Sequence, residues 1–121
     1  MTPQLNLDYL AAKHAFAMVD SFRRPIKAAE RTVTKALGVL QEQGVYACFL
    51  FLDSRGTTDG AKEVSDCFWD LTVDLMGIDR SAARSDYYAN TLNRDLDNLL
   101  LVRDVFEQTL IYARYGAKAK A

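Results

Sequence analysis

His14 is the sole histidine in the chain. The acids Asp59, Glu63, Asp66, Asp70 and Asp74 recur every three or four residues. These are the residue types from which an acid–base or metal site would be built. At that spacing a helix displays the five carboxylates as one row, with nothing else in the sequence converging on them. The row reads as a solvated acidic flank, or as a docking face for a basic partner. His14 falls on the apolar face of its own segment with no nucleophile motif beside it, and is expected to be a hydrogen-bonded core histidine. The chain has no Glu-x-x-His pair, no His-Glu-x-x-His and no glycine loop of phosphate-binding type. The sequence therefore predicts no catalytic residue, no metal and no cofactor.

Charge is organised where chemistry is not. Residues 1–43 carry a net +2, residues 44–79 a net −5 and residues 80–121 a net +2, for −1 overall. A chain so close to neutral exerts no general attraction on nucleic acid, so any such contact has to come from a local patch. The densest basic stretch holds Arg23, Arg24, Lys27, Arg31 and Lys35, interrupted only by Glu30. On a helix Lys27, Arg31 and Lys35 form a row opposite the apolar stripe, rising about 6 Å per step, with Arg23 and Arg24 extending it. That spacing suits the phosphates of an extended strand, but also an ordinary solvated face. The row contains no aromatic residue and implies no base stacking.

The elements that position these residues are helical. Asn6 is a suitable N-cap for a helix over residues 6–22, with Leu7, Leu10, Ala11, His14, Ala17, Met18 and Ser21 on one face. Pro25 opens a second helix whose stripe is Ile26, Ala29, Val33, Ala36, Leu37 and Leu40, and Gly44 closes it. Residues 45–52 would suit a strand by composition. No second strand-like run exists to pair with them, so they read as a short buried helix. Loops over 54–60 and 77–85 flank a fourth helix, 61–76, which buries Val64, Phe68, Leu71 and Leu75. A long last helix is expected over 86–115, with residues 116–121 fraying. Within it Arg103 falls inside a stripe of Leu92, Leu96, Leu99, Phe106 and Leu110, and is expected to pair with an internal carboxylate.

The chain has 121 residues, about half of them hydrophobic and a quarter charged. That predicts one all-α domain over residues 1–121, a bundle of about five antiparallel-leaning helices with the long C-terminal helix at its centre. Cys48 and Cys67 lie in apolar stretches and form no Cys-x-x-Cys pair, which predicts free buried thiols. The absence of a signal-peptide pattern predicts a cytosolic protein. The longest apolar run, residues 45–52, is short of the ~20 residues a bilayer span needs, so no membrane is expected.

Three stretches carry a further likeness. They are Leu10-Ala11-Ala12-Lys13-His14-Ala15 in the opening helix, Leu40-Gln41-Glu42-Gln43-Gly44-Val45-Tyr46-Ala47 leading into Phe49-Leu50-Phe51-Leu52, and Arg94-Asp95-Leu96-Asp97-Asn98-Leu99-Leu100 with Tyr112-Ala113-Arg114-Tyr115 in the last helix. In this order and at this total length the chain resembles the small helical subunit of type III-B CRISPR effector (Cmr) complexes. The resemblance implies a non-catalytic subunit that stacks head to tail in several copies beside other effector subunits. It implies contacts with the backbones of guide RNA and target RNA, in antiviral defence. It makes Arg23, Arg24, Lys27, Arg31 and Lys35 the expected nucleic-acid contacts, and Asp66, Asp70 and Asp74 one side of a subunit interface. Subunits of this kind usually carry a more basic surface than a net −1 chain. Two other readings of the residues are a helical adaptor or dimerisation module that binds protein without nucleic acid, and an enzyme whose site is completed by a partner chain.

Overall fold

A computed structural model describes residues 6–121, and among these residues there is no strand. The elements are α1 (Leu7–Ser21), α2 (Ile26–Gln43), α3 (Val45–Ser54), α4 (Ala61–Met76), the short α5 (Arg84–Asp86) and α6 (Leu96–Lys120). The all-α expectation holds, and residues 45–52 are helical. Asn6 caps α1, its side-chain oxygen accepting from the Tyr9 N–H at 3.0 Å. Pro25 immediately precedes α2, where its missing N–H costs nothing. Gly44 ends α2 and starts α3 in one residue. Its φ of +95° suits glycine, and its N–H reaches the Leu40 carbonyl at 3.1 Å.

The main departure lies in the last third of the chain. The expected single helix from residue 86 is broken at Asp95, whose extended backbone (φ −112°, ψ 93°) interrupts the winding. The Asp95 carboxylate then caps α6, accepting from the Asn98 N–H at 3.2 Å. Before the break, α5 runs into a π-helical turn, Tyr87–Thr91, and a 3₁₀ turn, Leu92–Arg94. The wide turn directs Tyr88 and Leu92 into the core. At the other end α6 does not fray at Gly116 but continues to Lys120. A Cβ at Gly116 would stand 3.2 Å from Val19 Cγ2, so glycine here lets α1 and α6 approach closely and the helix is held in register by that contact.

Burial follows from α6 lying in the middle. It packs most extensively on α1 and α2. Against α2 it runs antiparallel, with Glu107 facing Gln41 and Lys118 facing Glu30. Against α1 it runs in the same direction, with Tyr112 joined to Asp8 and Lys120 to Asp20, so the bundle is not antiparallel throughout. Because α1 also packs on α4, its buried face is Ala11, His14, Ala15, Met18 and Val19. The expected face is thereby rotated, leaving Ala17 and Ser21 exposed. On α2 every expected stripe position is buried except the half-buried Ile26.

Aromatic rings fill the centre: Phe68 of α4 stacks on Phe106 of α6 with centroids 3.9 Å apart, and Tyr88 meets Phe49, Trp69 and Phe106 at 5.0–6.5 Å. Tyr88 keeps its hydroxyl paired with Thr72 at 2.9 Å. Leu96 and Leu100, expected in or near the apolar stripe of the last helix, are exposed instead (65% and 45%) because α6 starts beyond the edge of this core.

Asp95→Ala should cost about 1 kcal/mol, the usual worth of an N-cap. It should also loosen amide-exchange protection over the first turn of α6 before that of its centre. Denaturant titration and hydrogen exchange read these two effects, and unchanged values would mean that the break does not depend on the cap.

Candidate nucleic-acid interface

The five acids do not form one helical row: Asp59 lies before α4 in a 3₁₀ turn, Thr58–Gly60, with a left-handed backbone (φ +51°), and the four on α4 separate into distinct environments. Asp66 accepts from Lys62 at 2.7 Å and from Arg84 at 2.9 Å. Asp70 is paired with Arg80, and Asp74 with His14 Nε2 at 2.9 Å. Asp59 is held by Arg55 at 3.3 Å. The row is therefore no free solvated flank: four of its members already have partners inside the chain. Burial raises the Asp66 carboxyl, but the hydrogen bonds from Lys62 and Arg84 outweigh it and hold the group below the usual carboxylate range. Among the described residues no group of His, Cys, Asp and Glu is arranged to hold a metal ion.

His14 is 7% exposed, and its Nε2 bond to Asp74 ties α1 to α4, as a core histidine should. Arg103 departs from expectation. Its guanidinium donates to the Gln41 carbonyl at 2.9 Å rather than to a carboxylate. That carbonyl lies in the last turn of α2, where backbone acceptors lack helical partners, and a cation is favoured there.

The basic residues divide in space. Lys27, Arg31 and Lys35 are exposed along one face of α2 and make no ion pair or hydrogen bond with the described residues. Glu30, the acid that interrupts them in sequence, turns toward Lys118 of α6 at 3.8 Å. Arg23 and Arg24, in the α1–α2 connection, instead border a cleft of about 420 Å³ opposite Gly60, Lys62 and Glu63. Arg23 also borders a groove between α1 and α4 whose walls carry Glu63, Asp66 and Asp70. The structure thus joins Lys27, Arg31 and Lys35 as one row and turns Arg23 toward the acidic side. The cleft itself is narrowed by the approach of α2, since a Cβ on Gly60 would meet Ala29 Cβ at 3.0 Å.

A third surface has no counterpart in the sequence reading. Tyr9, Phe16 and Tyr115 are 64%, 76% and 62% exposed, on α1 and α6. Their signal was the seven-residue spacing of Tyr9 and Phe16, which places both on the flank of α1 away from Ala11 and Met18. No protein-family model matches the chain, and no curated protein or solved structure matches it either. No described helix is long and apolar enough to cross a membrane.

Cys48 and Cys67 are buried and free. Burial pushes both thiols up to about 12, with the nearby Asp70 carboxylate adding to the effect at Cys67. Because the thiolate is the reacting form, both should label slowly with a thiol reagent at pH 8 and rapidly once the chain is unfolded. Fast native-state labelling of either would place it at the surface.

The Asp66 pairing gives a pH dependence of defined sign. A carboxyl held below its unfolded value contributes stability above about pH 4 that is lost as pH falls through the lower folded value. The gap in Tm between the native chain and Asp66→Asn should be open at pH 6–7 and close below pH 4. A gap of the same size at every pH would remove charge from the account.

Proposed function

We propose that the chain is the non-catalytic small subunit of a type III-B CRISPR RNA-guided effector complex, touching the phosphates of guide and target RNA through α2. The observation that carries this reading is the contrast between the two charged rows. Most of the α4 carboxylates are taken up by partners within the chain, whereas Lys27, Arg31 and Lys35 stand exposed and unpaired among the described residues. Three cations at about 6 Å intervals on a rigid helix offer a phosphate backbone contacts that need no rearrangement of the fold. The sequence likeness to the Cmr small subunit supplies the complex in which such contacts are repeated. Further copies and larger subunits would meet the exposed leucines Leu50, Leu96 and Leu100. They would also meet the outer edges of Asp66, Asp70 and Asp74, which their internal pairs leave partly exposed.

One copy neutralising about three phosphates gives a log–log salt slope of only about −2 on a single strand. Aligned copies add contacts through effective concentration, so tight binding belongs to the assembly. Replacing Lys27, Arg31 and Lys35 together by Glu should leave the free chain folded. In the assembled complex it should lower affinity for target RNA, reduce the salt slope and do so equally for every target sequence, since phosphates carry no base information. An assembled triple variant with unchanged affinity and slope would sink the reading in favour of a protein-binding adaptor. Co-purification without RNA or larger subunits would do the same.

A further inference from the structure

The α1–α2 connection and the start of α4 enclose the cleft of about 420 Å³ that Arg23 and Arg24 border. Ala28 and Ala29 give it an apolar wall on the α2 side, and Thr57, Lys62 and Glu63 lie on the other. Its volume is that of a small-molecule site, which commonly runs from about 300 Å³ upward. Arg23 and Arg24 are both exposed and have no ion pair among the described residues. Adjacent arginines at a cleft present the forked donors that recognise phosphate and carboxylate oxygens.

The surrounding charges decide what the occupant is. Of the other charged residues lining the cleft, Asp59 is taken by Arg55 at 3.3 Å and Lys62 by Asp66 at 2.7 Å. Asp66 is shared with Arg84 at 2.9 Å, so one carboxylate faces two cations. The half-buried Glu63 is the one lining acid without an ion pair among the described residues. With these partners included, five cations stand against three acids, an excess of two. Asp70, on the neighbouring groove, is matched by Arg80 and leaves that excess unchanged. The backbone adds to it. Both α2 and α4, of 18 and 16 residues, begin at the cleft without a side-chain cap and present the positive ends of their dipoles there.

We infer that this cleft binds a doubly charged phosphate group, as inorganic phosphate or at the end of a small phosphomonoester, with Arg23 and Arg24 as its principal ligands. An excess of two charges matches a dianion better than the singly charged diesters along a nucleic-acid backbone. Arginine donors meet phosphate oxygens in pairs, which adds geometric selectivity to the charge. The site is separate from the α2 row, since Lys27, Arg31 and Lys35 do not line the cleft. It therefore stands whether or not the chain binds RNA, and it gives Arg23 and Arg24 a ligand that the row does not share.

The test is calorimetric titration of the full chain at about pH 8, where phosphate and its monoesters are doubly charged. The probes are inorganic phosphate, methyl phosphate and dimethyl phosphate. Inorganic and methyl phosphate should bind saturably at a single site, the tighter of the two identifying the source of the group. Dimethyl phosphate, a singly charged diester, should bind roughly tenfold more weakly or not at all. Arg23→Gln with Arg24→Gln, both surface changes, should weaken inorganic phosphate by roughly tenfold or more, the loss of at least one charge-assisted hydrogen bond. Glu63→Gln removes the opposing charge and should tighten it. Lys13→Gln with Arg94→Gln takes the same charge from exposed positions outside the cleft and should leave phosphate binding unchanged. No saturable phosphate binding by the native chain would overturn the site. Equal weakening by the two double variants would also overturn it, as diffuse attraction to the surface. Dimethyl phosphate bound as tightly as inorganic phosphate would do the same, and so would an arginine variant of native Tm that binds phosphate undiminished.

Discussion

The pairing of α4's carboxylates with partners from distant stretches is the constraint from which much of the molecule follows. Asp74 holds His14 of α1, while Asp66 and Asp70 hold Arg84 and Arg80 of the segment that returns over α4. Each pair is partly exposed and worth little alone. Their joint consequence is geometric. The returning segment is laid against Trp69, whose indole N–H reaches the Arg80 carbonyl at 2.9 Å and whose ring receives the Arg84 guanidinium. With that segment in place, the π-helical turn can deliver Tyr88 and Leu92 to the core. The second consequence is electrostatic. The pairs draw the α4 acids toward partners on α1 and the returning segment, while Lys27, Arg31 and Lys35 remain an exposed row on α2 without an acid partner among the described residues.

The centre of the bundle tolerates this arrangement because its polar groups are satisfied locally. Thr72 and Thr109 donate to the carbonyls four residues earlier, and Cys48 and Cys67 point their thiols at the Ala36 and His14 carbonyls. With the Thr72 proton given to the Phe68 carbonyl, the Tyr88 hydroxyl donates to the Thr72 oxygen and enters the core paired. With those groups settled, α6 can be surrounded on several sides, which is why its apolar positions are spread around the helix rather than confined to one stripe.

Much of this was legible in the residues, and the rest was not for specific reasons. The α2 stripe, its end at Gly44 and the boundaries of α4 follow from periodicity and glycine placement, which are local, and the helical state of residues 45–52 follows from the lack of any second strand-like run to pair with them. The break at Asp95 is also local, but periodicity runs through it: Leu92, Leu96 and Leu99 keep helical spacing across the interruption, and only the cap at Asp95 gives it away. The rotation of α1 depends on its having two neighbours, α4 and α6, and no single-helix pattern encodes that. Arg103 was conspicuous in sequence, but its partner is a backbone carbonyl, which no side-chain census reveals. The basic row was visible on α2; the groove between α1 and α6 was not, because Phe16 and Tyr112 are 96 positions apart in the chain and come to line one groove only when α1 and α6 pack in the same direction.

A row of three cations on one helix would hold RNA only weakly at physiological salt, since each phosphate contact releases only about one counterion's worth of free energy. Repetition of the row in aligned copies would multiply contacts without changing any one of them, and its benefit vanishes if the copies cannot engage one strand together. Repetition needs faces that meet another subunit. The exposed leucines near the start of α6 and the exposed Tyr115 near its end lie roughly 20–30 Å apart along a helix rising 1.5 Å per residue, so apolar surface stands uncovered at both ends of the central helix.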